Sequence, residues 1–524
     1  MAGLGALANK IRVPYPILLV VGGLGLGFLP GADRIELDPE LVLAIFLPPL
    51  LYGAAFFTNV REMRNNARPI GLLAIGLTIA TTGTVALTAH YLVGLDWAVA
   101  FVLGAVVSPT DAVAPTQIVR RLGVPRRIVS VIEGENLTND WAALAVYRFA
   151  VAAVVTGSFS LPEAAGEFLL TGVGGLAIGL LVGVVLRWVR KRVDDPPIEI
   201  TISLFSAYAA YLPAEQLGVS GVLAVVTVGV YMGWHASELT TPQTRLELFG
   251  IWGVLQFLLN AVLFVLVGLQ MPRIMEGISG ESAQELLGDG VLIAMAVIVT
   301  RLIFVYVFTR APRLLSRRLA ERDPYPGWRP TLVIAWCSMR GAVALAAALA
   351  IPFTVQGGAP FPDRDLIVFL TYVVILATLV LQGLTLAPLI RWTGLEEDGA
   401  DGREELVARL RAAQAAEDRV EELAFEEWVA PETAERMRGM YAFRRRRFEA
   451  LTAGAGAGAD AGADADADAD GVEDQSQRYQ RLTHEVIAAE RRAILELRNS
   501  GAITDEVLRR VERDLDLEEA RLDA

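Results

Sequence analysis

Along the chain, apolar residues gather into long blocks separated by short polar connectors. A helix needs about 20 residues to cross ~30 Å of hydrocarbon. Twelve blocks approach or exceed that length, near residues 13–29, 41–57, 70–93, 97–119, 129–156, 168–186, 198–214, 219–233, 246–269, 287–309, 330–352 and 365–390. After Glu396 the pattern changes. Leu406, Leu410 and Val420 sit in one charged helical repeat, and Val507, Leu508, Val511, Leu515 and Leu517 in another. Between them, Ala453 to Gly471 is an Ala-Gly-Asp repeat with nothing to bury, which predicts a flexible linker rather than a calcium loop. The pattern therefore predicts an all-α polytopic membrane protein: a membrane domain over 1–395 and a helical tail over 396–524.

The connectors test the span count independently, because cytoplasmic loops are enriched in Lys and Arg. Alternate connectors carry Arg61, Arg64 and Arg68; Arg120, Arg121, Arg126 and Arg127; Arg187, Arg190, Lys191 and Arg192; Arg245; and Arg310, Arg313, Arg317, Arg318, Arg322 and Arg329. The intervening connectors hold only Arg34, Arg273 and Arg364. This alternation places both termini in the cytoplasm. The first block follows Lys10 and Arg12 directly, without the pattern of a cleavable leader.

Composition agrees with lipid as the solvent: 54% of residues are hydrophobic and 20% charged. The net charge of −13 disfavours nucleic acid as a partner. It resides in the tail, which holds 19 basic and 33 acidic residues from Glu396 onward. With one cysteine, Cys337, and three scattered histidines, neither a disulfide scaffold nor a zinc centre is expected, and no cofactor is implied. Arg444 to Arg447 reads as a solvated helix face ahead of an anionic-lipid contact. Nothing in the tail identifies its partner.

The informative residues are charges inside apolar blocks, where each is costly and needs a reason. The fourth block contains Ser108-Pro109-Thr110-Asp111-Ala112-Val113-Ala114-Pro115, whose two prolines interrupt the backbone ladder around an aspartate. The fifth contains Glu133-Gly134-Glu135-Asn136-Leu137-Thr138-Asn139-Asp140, and the eleventh Trp336-Cys337-Ser338-Met339-Arg340-Gly341. At 1.5 Å per residue, Asp140 lies ~16 Å, Arg340 ~15 Å and Asp111 ~21 Å into their blocks, all near the midplane. Arg340 keeps its proton and needs a fixed anion, for which Glu135 is the candidate. Asp111 and Asp140 are then left to take up either a proton or a small alkali cation such as Na⁺, with oxygens of Thr110, Asn136 and unwound backbone completing the shell. Arg148 lies near the outer interface as an anchor, and Gly22, Gly23, Gly25 and Gly27 read as helix-packing residues.

These three segments, in this order, resemble the bacterial sodium/proton antiporters of the monovalent cation:proton antiporter-1 family. The resemblance extends through Val13-Pro14-Tyr15-Pro16-Ile17, Leu47-Pro48-Pro49-Leu50-Leu51-Tyr52, Ser220-Gly221-Val222-Leu223-Ala224-Val225, Asn260-Ala261-Val262-Leu263-Phe264 and the tail segments Ile503–Leu508 and Leu515–Leu522. It implies an inverted-repeat antiporter fold with two crossed discontinuous helices, core and dimerisation domains, and a homodimer in the inner membrane. It implies Asp140 as the principal ion and proton carrier, with Asp111, Thr110, Glu135 and Asn136 around the ion and Arg340 paired to the fifth-span glutamate. The Asn139-Asp140 pair implies electroneutral one-for-one exchange of Na⁺, Li⁺ or K⁺ for H⁺. Two departures stand out: Gly53 replaces an acid common in relatives, and only Met1 to Arg12 precede the first block where relatives commonly carry a further span.

A K⁺/H⁺ antiporter shares the same oxygen chemistry and is the open alternative. Other classes fit less well, among them a membrane sensor, since the tail carries no catalytic motif. An intramembrane aspartyl protease needs Tyr-Asp and Gly-x-Gly-Asp signatures, whereas these aspartates follow Thr110 and Asn139. A passive cation channel suits charges buried in broken helices less well than an alternating carrier does.

Overall fold

The computed structural model describes residues 14–29, 39–111, 113–277, 282–395, 399–452 and 472–520. The predicted linker 453–471, and Lys10, Arg12 and Arg34, lie outside these residues. Helices dominate, and the only extended pairing among the described residues is a single bridge between Thr354 and Pro360.

Helices overlie all twelve apolar blocks. They are α1 (Tyr15–Gly27), α2 (Pro39–Phe56), α3 (Ala67–Val93), α4 (Trp97–Val107), α5 (Val113–Arg121), α6 (Arg126–Thr156), α7 (Leu161–Arg190), α8 (Pro196–Gln216), α9 (Gly221–Trp234), α10 (Pro242–Leu269), α11 (Ala283–Leu315), α12 (Trp328–Trp336), α13 (Ala342–Leu349) and α14 (Arg364–Thr393). Five of them, α3, α7, α10, α11 and α14, are long and apolar enough to cross a membrane by length and composition. The fourth and eleventh blocks are each split, into α4 with α5 and α12 with α13.

Local sequence sets these boundaries. Asp195 accepts from the Ile198 amide at the start of α8, Ser220 from Leu223 at the start of α9, and Ser282 from Glu285 at the start of α11. α6 ends where Gly157 takes a left-handed conformation, at φ 70°. α1 and α10 approach closely: a side-chain carbon at Gly23 would stand 2.2 Å from the Val265 carbonyl oxygen, and one at Gly268 would stand 2.1 Å from that of Val20. The interior combines this close packing with leucine, valine and phenylalanine clusters. The outward face of α7 is itself apolar, with Leu169, Leu170, Val173 and Leu181 all exposed, as a lipid solvent requires. One buried charge here is paired: Arg190 of α7 reaches Glu199 of α8 at 3.4 Å.

The chain divides into two compact units. The larger comprises 1–58, 62–239 and 251–397 and holds most of the apolar helices. The smaller joins the tail to two short stretches of the membrane region, 59–61 and 240–250. Its described helices are α15 (Ala400–Leu423), α16 (Pro431–Thr452), α17 (Val472–Ser500) and α18 (Asp505–Ala520). They close over Ile487, Ile494, Val507 and Val511 at one end and Val420, Met437, Leu482 and Val486 at the other. Arg245 is buried against α18, donating to both carboxylate oxygens of Asp516 at 2.7 and 2.9 Å, and Arg61 donates to the carbonyls of Arg498 and Ile503. Arg444 and Arg445 are taken by Glu518 and Glu417, so these two arginines serve helix-to-helix pairing within the tail.

One carboxyl in the tail is out of register with its charge. Burial pushes Glu490 up to about 8, with Arg444 lowering it and Glu518 raising it. A carboxyl raised above its unfolded value stabilises the fold when protonated, and that contribution is lost as pH rises from the ordinary glutamate range through about 8. Glu490→Gln therefore protects the tail at pH 9 while changing little at pH 5. Hydrogen exchange of residues 472–520 in the full chain measures this, and equal protection of both proteins at pH 9 contradicts it.

Candidate ion-binding site

Helix α6 supplies most of the polar residues, and its 3.6-residue period sorts them. Glu133, Asn136, Leu137 and Asp140 fall on one face and line a cavity of about 390 Å³. Thr110 and Asp111, from the α4–α5 interruption, and Gly341, from the α12–α13 interruption, line it too, as do Gln256 and Asn260 of α10. Glu135 and Asn139 lie on the adjacent face and are not part of the lining.

The two interruptions touch. The Asp111 amide donates to the Met339 carbonyl at 2.8 Å. A side chain at position 341 would put its first carbon 2.7 Å from the Asp111 Cβ, so this approach requires glycine. Breaking a helix leaves carbonyls without partners at its C-terminal end. Arg340 takes one of them, donating from Nε to the Val107 carbonyl, the last residue of α4, at 3.0 Å. Arg301 of α11 takes another, donating to the Ile334 carbonyl in the last turn of α12 at 3.1 Å. Each guanidinium thus sits at the negative end of a half-helix, where a cation is favoured.

The expected pairing of Arg340 with Glu135 is not what forms. Glu135 receives two bonds from Arg301, one to Oε1 and one to Oε2 at 2.7 Å. Arg340 instead donates to the Ser338 carbonyl and hydroxyl as well as to Val107, and its own amide donates to the Thr378 hydroxyl at 3.2 Å. The reason is geometric: a planar fork matches a carboxylate bidentately, and α11 delivers one across from α6, while Arg340 lies on an unwound segment rich in free carbonyls. Sequence reasoning passed over Arg301, although it lies in the middle of the tenth apolar block, where a charge is as conspicuous as Arg340.

Thr110 ties the α4–α5 break to α6. Its hydroxyl donates to Asn136 Oδ1 at 2.5 Å and accepts from Asn139 Nδ2 at 2.6 Å, and Glu135 Oε1 lies 3.4 Å away. Asn136 donates in turn to the Ile132 carbonyl at 2.8 Å. The structure therefore brings Thr110, Asp111, Glu135, Asn136, Asn139 and Asp140 into one neighbourhood, with Glu135 committed to an arginine. Asp140 is buried, at 6% exposure, and no cationic side chain pairs with it among the described residues. The Asp111 carboxylate, of like sign, lines the same cavity. Three acidic groups line the cavity; Glu133 is paired to Arg120 at 2.8 Å, and the closely placed Asp111 and Asp140 make an arrangement chemically able to hold a cation or a proton.

A family model described as sodium/hydrogen exchanger, transmembrane, matches residues 1–392. The chain is similar to an uncharacterized Na⁺/H⁺ exchanger of Mycobacterium tuberculosis, 38% identical over 522 residues that cover 98% of this chain and 93% of the relative. It is similar to a sodium, potassium, lithium and rubidium/H⁺ antiporter of Bacillus subtilis, 34% identical over 386 residues that cover 71% of this chain and 57% of the relative. Among solved structures it resembles a sodium proton antiporter of Methanocaldococcus jannaschii, with a TM-score of 0.59 and 18% identity over 74% of this chain and 95% of that one, a likeness of fold.

The two arginines make separable predictions. Arg301→Ala orphans a buried carboxylate and costs roughly 3–5 kcal/mol, while replacing both Arg301 and Glu135 by methionine recovers much of that loss. Arg340→Ala frees carbonyls rather than a charge and costs less, roughly 1–3 kcal/mol. Melting of the purified variants in detergent ranks them. A silent Arg301→Ala beside a severe Arg340→Ala reverses the assignment.

Proposed function

This chain belongs to the sodium/hydrogen exchanger family, and from that premise we propose that it moves Na⁺ out of the cytoplasm in exchange for external H⁺ through the Asp111–Asp140 cavity. The observation that carries the proposal is Asp140: buried at the cavity wall, without a cationic partner among the described residues, while Glu135, five residues earlier on the same helix, holds Arg301.

Ionised, Asp140 and Asp111 offer oxygens to Na⁺; a proton on Asp140 is the alternative way to relieve the same buried charge. The two ligands therefore exclude each other, and one positive charge replaces another. That exclusion favours electroneutral one-for-one exchange, driven by the ion gradients at about 1.4 kcal/mol per pH unit. Thr110 and Asn136 hold the α4–α5 break against α6 and present their oxygens beside the carboxylates. Asn139 steadies Thr110 from the adjacent face. Arg340 and Arg301 keep the ends of the half-helices neutral without lowering the affinity of Asp140 for a cation. The rest of the reading follows the sequence: a homodimer in the inner membrane, termini in the cytoplasm, core and dimerisation halves moving relative to each other to alternate access, and crossed half-helices at the ion. The membrane domain is 1–395 and the tail 396–524.

A broader cation range, including K⁺ and Li⁺, is the second reading, favoured by the breadth of ions named for the Bacillus relative. Dequenching of a ΔpH dye in everted vesicles, with Na⁺, Li⁺ and K⁺ added in turn, separates the two. Asp140→Asn abolishes exchange of every cation while the protein still folds. Retained exchange in that variant refutes the role of Asp140.

A further inference from the structure

A second cavity, of about 230 Å³, lies in the membrane unit away from the ion site. Its walls come from the starts of α3 and α6, the last turns of α11 and the start of α12, and they are apolar: Leu72, Ile128, Val131, Phe304 and Phe308 among them. Phe304 and Phe308 stack at 4.1 Å between ring centroids. Its rim is charged and unbalanced, with Arg68, Arg127 and Arg313 facing one acid, Asp323. Arg127 and Arg313 each reach Asp323 at 2.5 Å, so a single carboxylate serves two guanidinium groups, and Arg68 stands exposed beside them. The backbone at the wall is unusual too: Leu72–Leu77 winds in wider π-type turns, a departure from α-geometry found mostly at functional sites.

An apolar slot with a cationic rim matches one kind of molecule, an amphiphile with an acyl chain and an anionic head. We propose that this cavity binds an anionic phospholipid, its phosphate between Arg68, Arg127 and Arg313 and an acyl chain against Phe304 and Phe308. On the proposed topology, on which this inference rests, the arginine-rich face lies toward the cytoplasm, where anionic headgroups add about 1 kcal/mol of attraction per basic residue. The slot is coupled to the transport machinery by helical spacing. Val131 lies one turn before Glu135 on α6, and Val305 one turn after Arg301 on α11. A lipid in the slot packs against both helices that hold the buried ion pair, and so props the pair from outside.

The test measures binding and does not depend on transport, so it stands or falls separately from the ion assignment. Purified full-length protein in detergent is titrated with dioleoyl phosphatidylglycerol or dioleoyl phosphatidylcholine, and bound lipid is counted by native mass spectrometry. One phosphatidylglycerol binds at least tenfold tighter than phosphatidylcholine. Arg68→Gln, at an exposed position, weakens phosphatidylglycerol roughly fivefold, and the Arg68→Gln/Arg127→Gln pair removes most of the preference, with phosphatidylcholine binding unchanged. Leu72→Trp, which fills the slot, displaces both lipids. Equal retention of the two lipids, a preference that survives the double substitution, or displacement of phosphatidylglycerol by millimolar inorganic phosphate alone overturns the proposal.

Discussion

The arrangement depends on how a low-dielectric interior disposes of charge. Glu135 and Arg301 are each about 1% exposed and hold each other bidentately between α6 and α11. Neither tolerates loss of the other, since an unpaired buried charge costs several kcal/mol. Because that glutamate is satisfied by an arginine from α11, Arg340 is free to serve the carbonyl at the end of α4. What remains at the cavity is acidic. In the proposed exchange a cation binds there because the guanidinium groups nearby are committed to other partners.

Broken helices make this possible. An intact helix hides its carbonyls; the interruptions at 108–111 and 337–341 release them at the depth where the acids lie. Two of the freed carbonyls are answered by Arg301 and Arg340, and the backbone bond from Asp111 to Met339 fastens one break to the other. Gly341 permits the contact. Position, electrostatics and packing at the site therefore share one origin, the two helix interruptions, one carrying Pro109 and the other ending on Gly341.

Much of this was legible in the sequence. The twelve apolar blocks carry helices because hydrophobic length is a strong signal, and the prolines at 109 and 115 marked the first interruption. The convergence of Thr110, Asp111, Asn136 and Asp140 followed from depth and helical phase. The partner of Glu135 did not, because a sequence ranks charges by depth and motif but cannot say which helix faces which. Arg301 and Arg340 lie at similar depths, and only the packing of α11 on α6 and the free carbonyls near residue 340 separate their roles. The tail shows the same limit. Its helical repeats were readable, but not that Arg245, the lone basic residue of its connector, is buried against Asp516, 271 positions later.

In the proposed exchange Na⁺ and H⁺ compete for the same buried carboxylate, and such competition must release protons when Na⁺ binds. Na⁺ is added to purified protein in weakly buffered detergent solution at a series of pH values, with a pH indicator dye recording protons set free. Competition gives close to one proton released per Na⁺ bound at pH values where Asp140 is protonated, falling toward zero as the pH is raised. Na⁺ binding that releases no proton at any pH would contradict it.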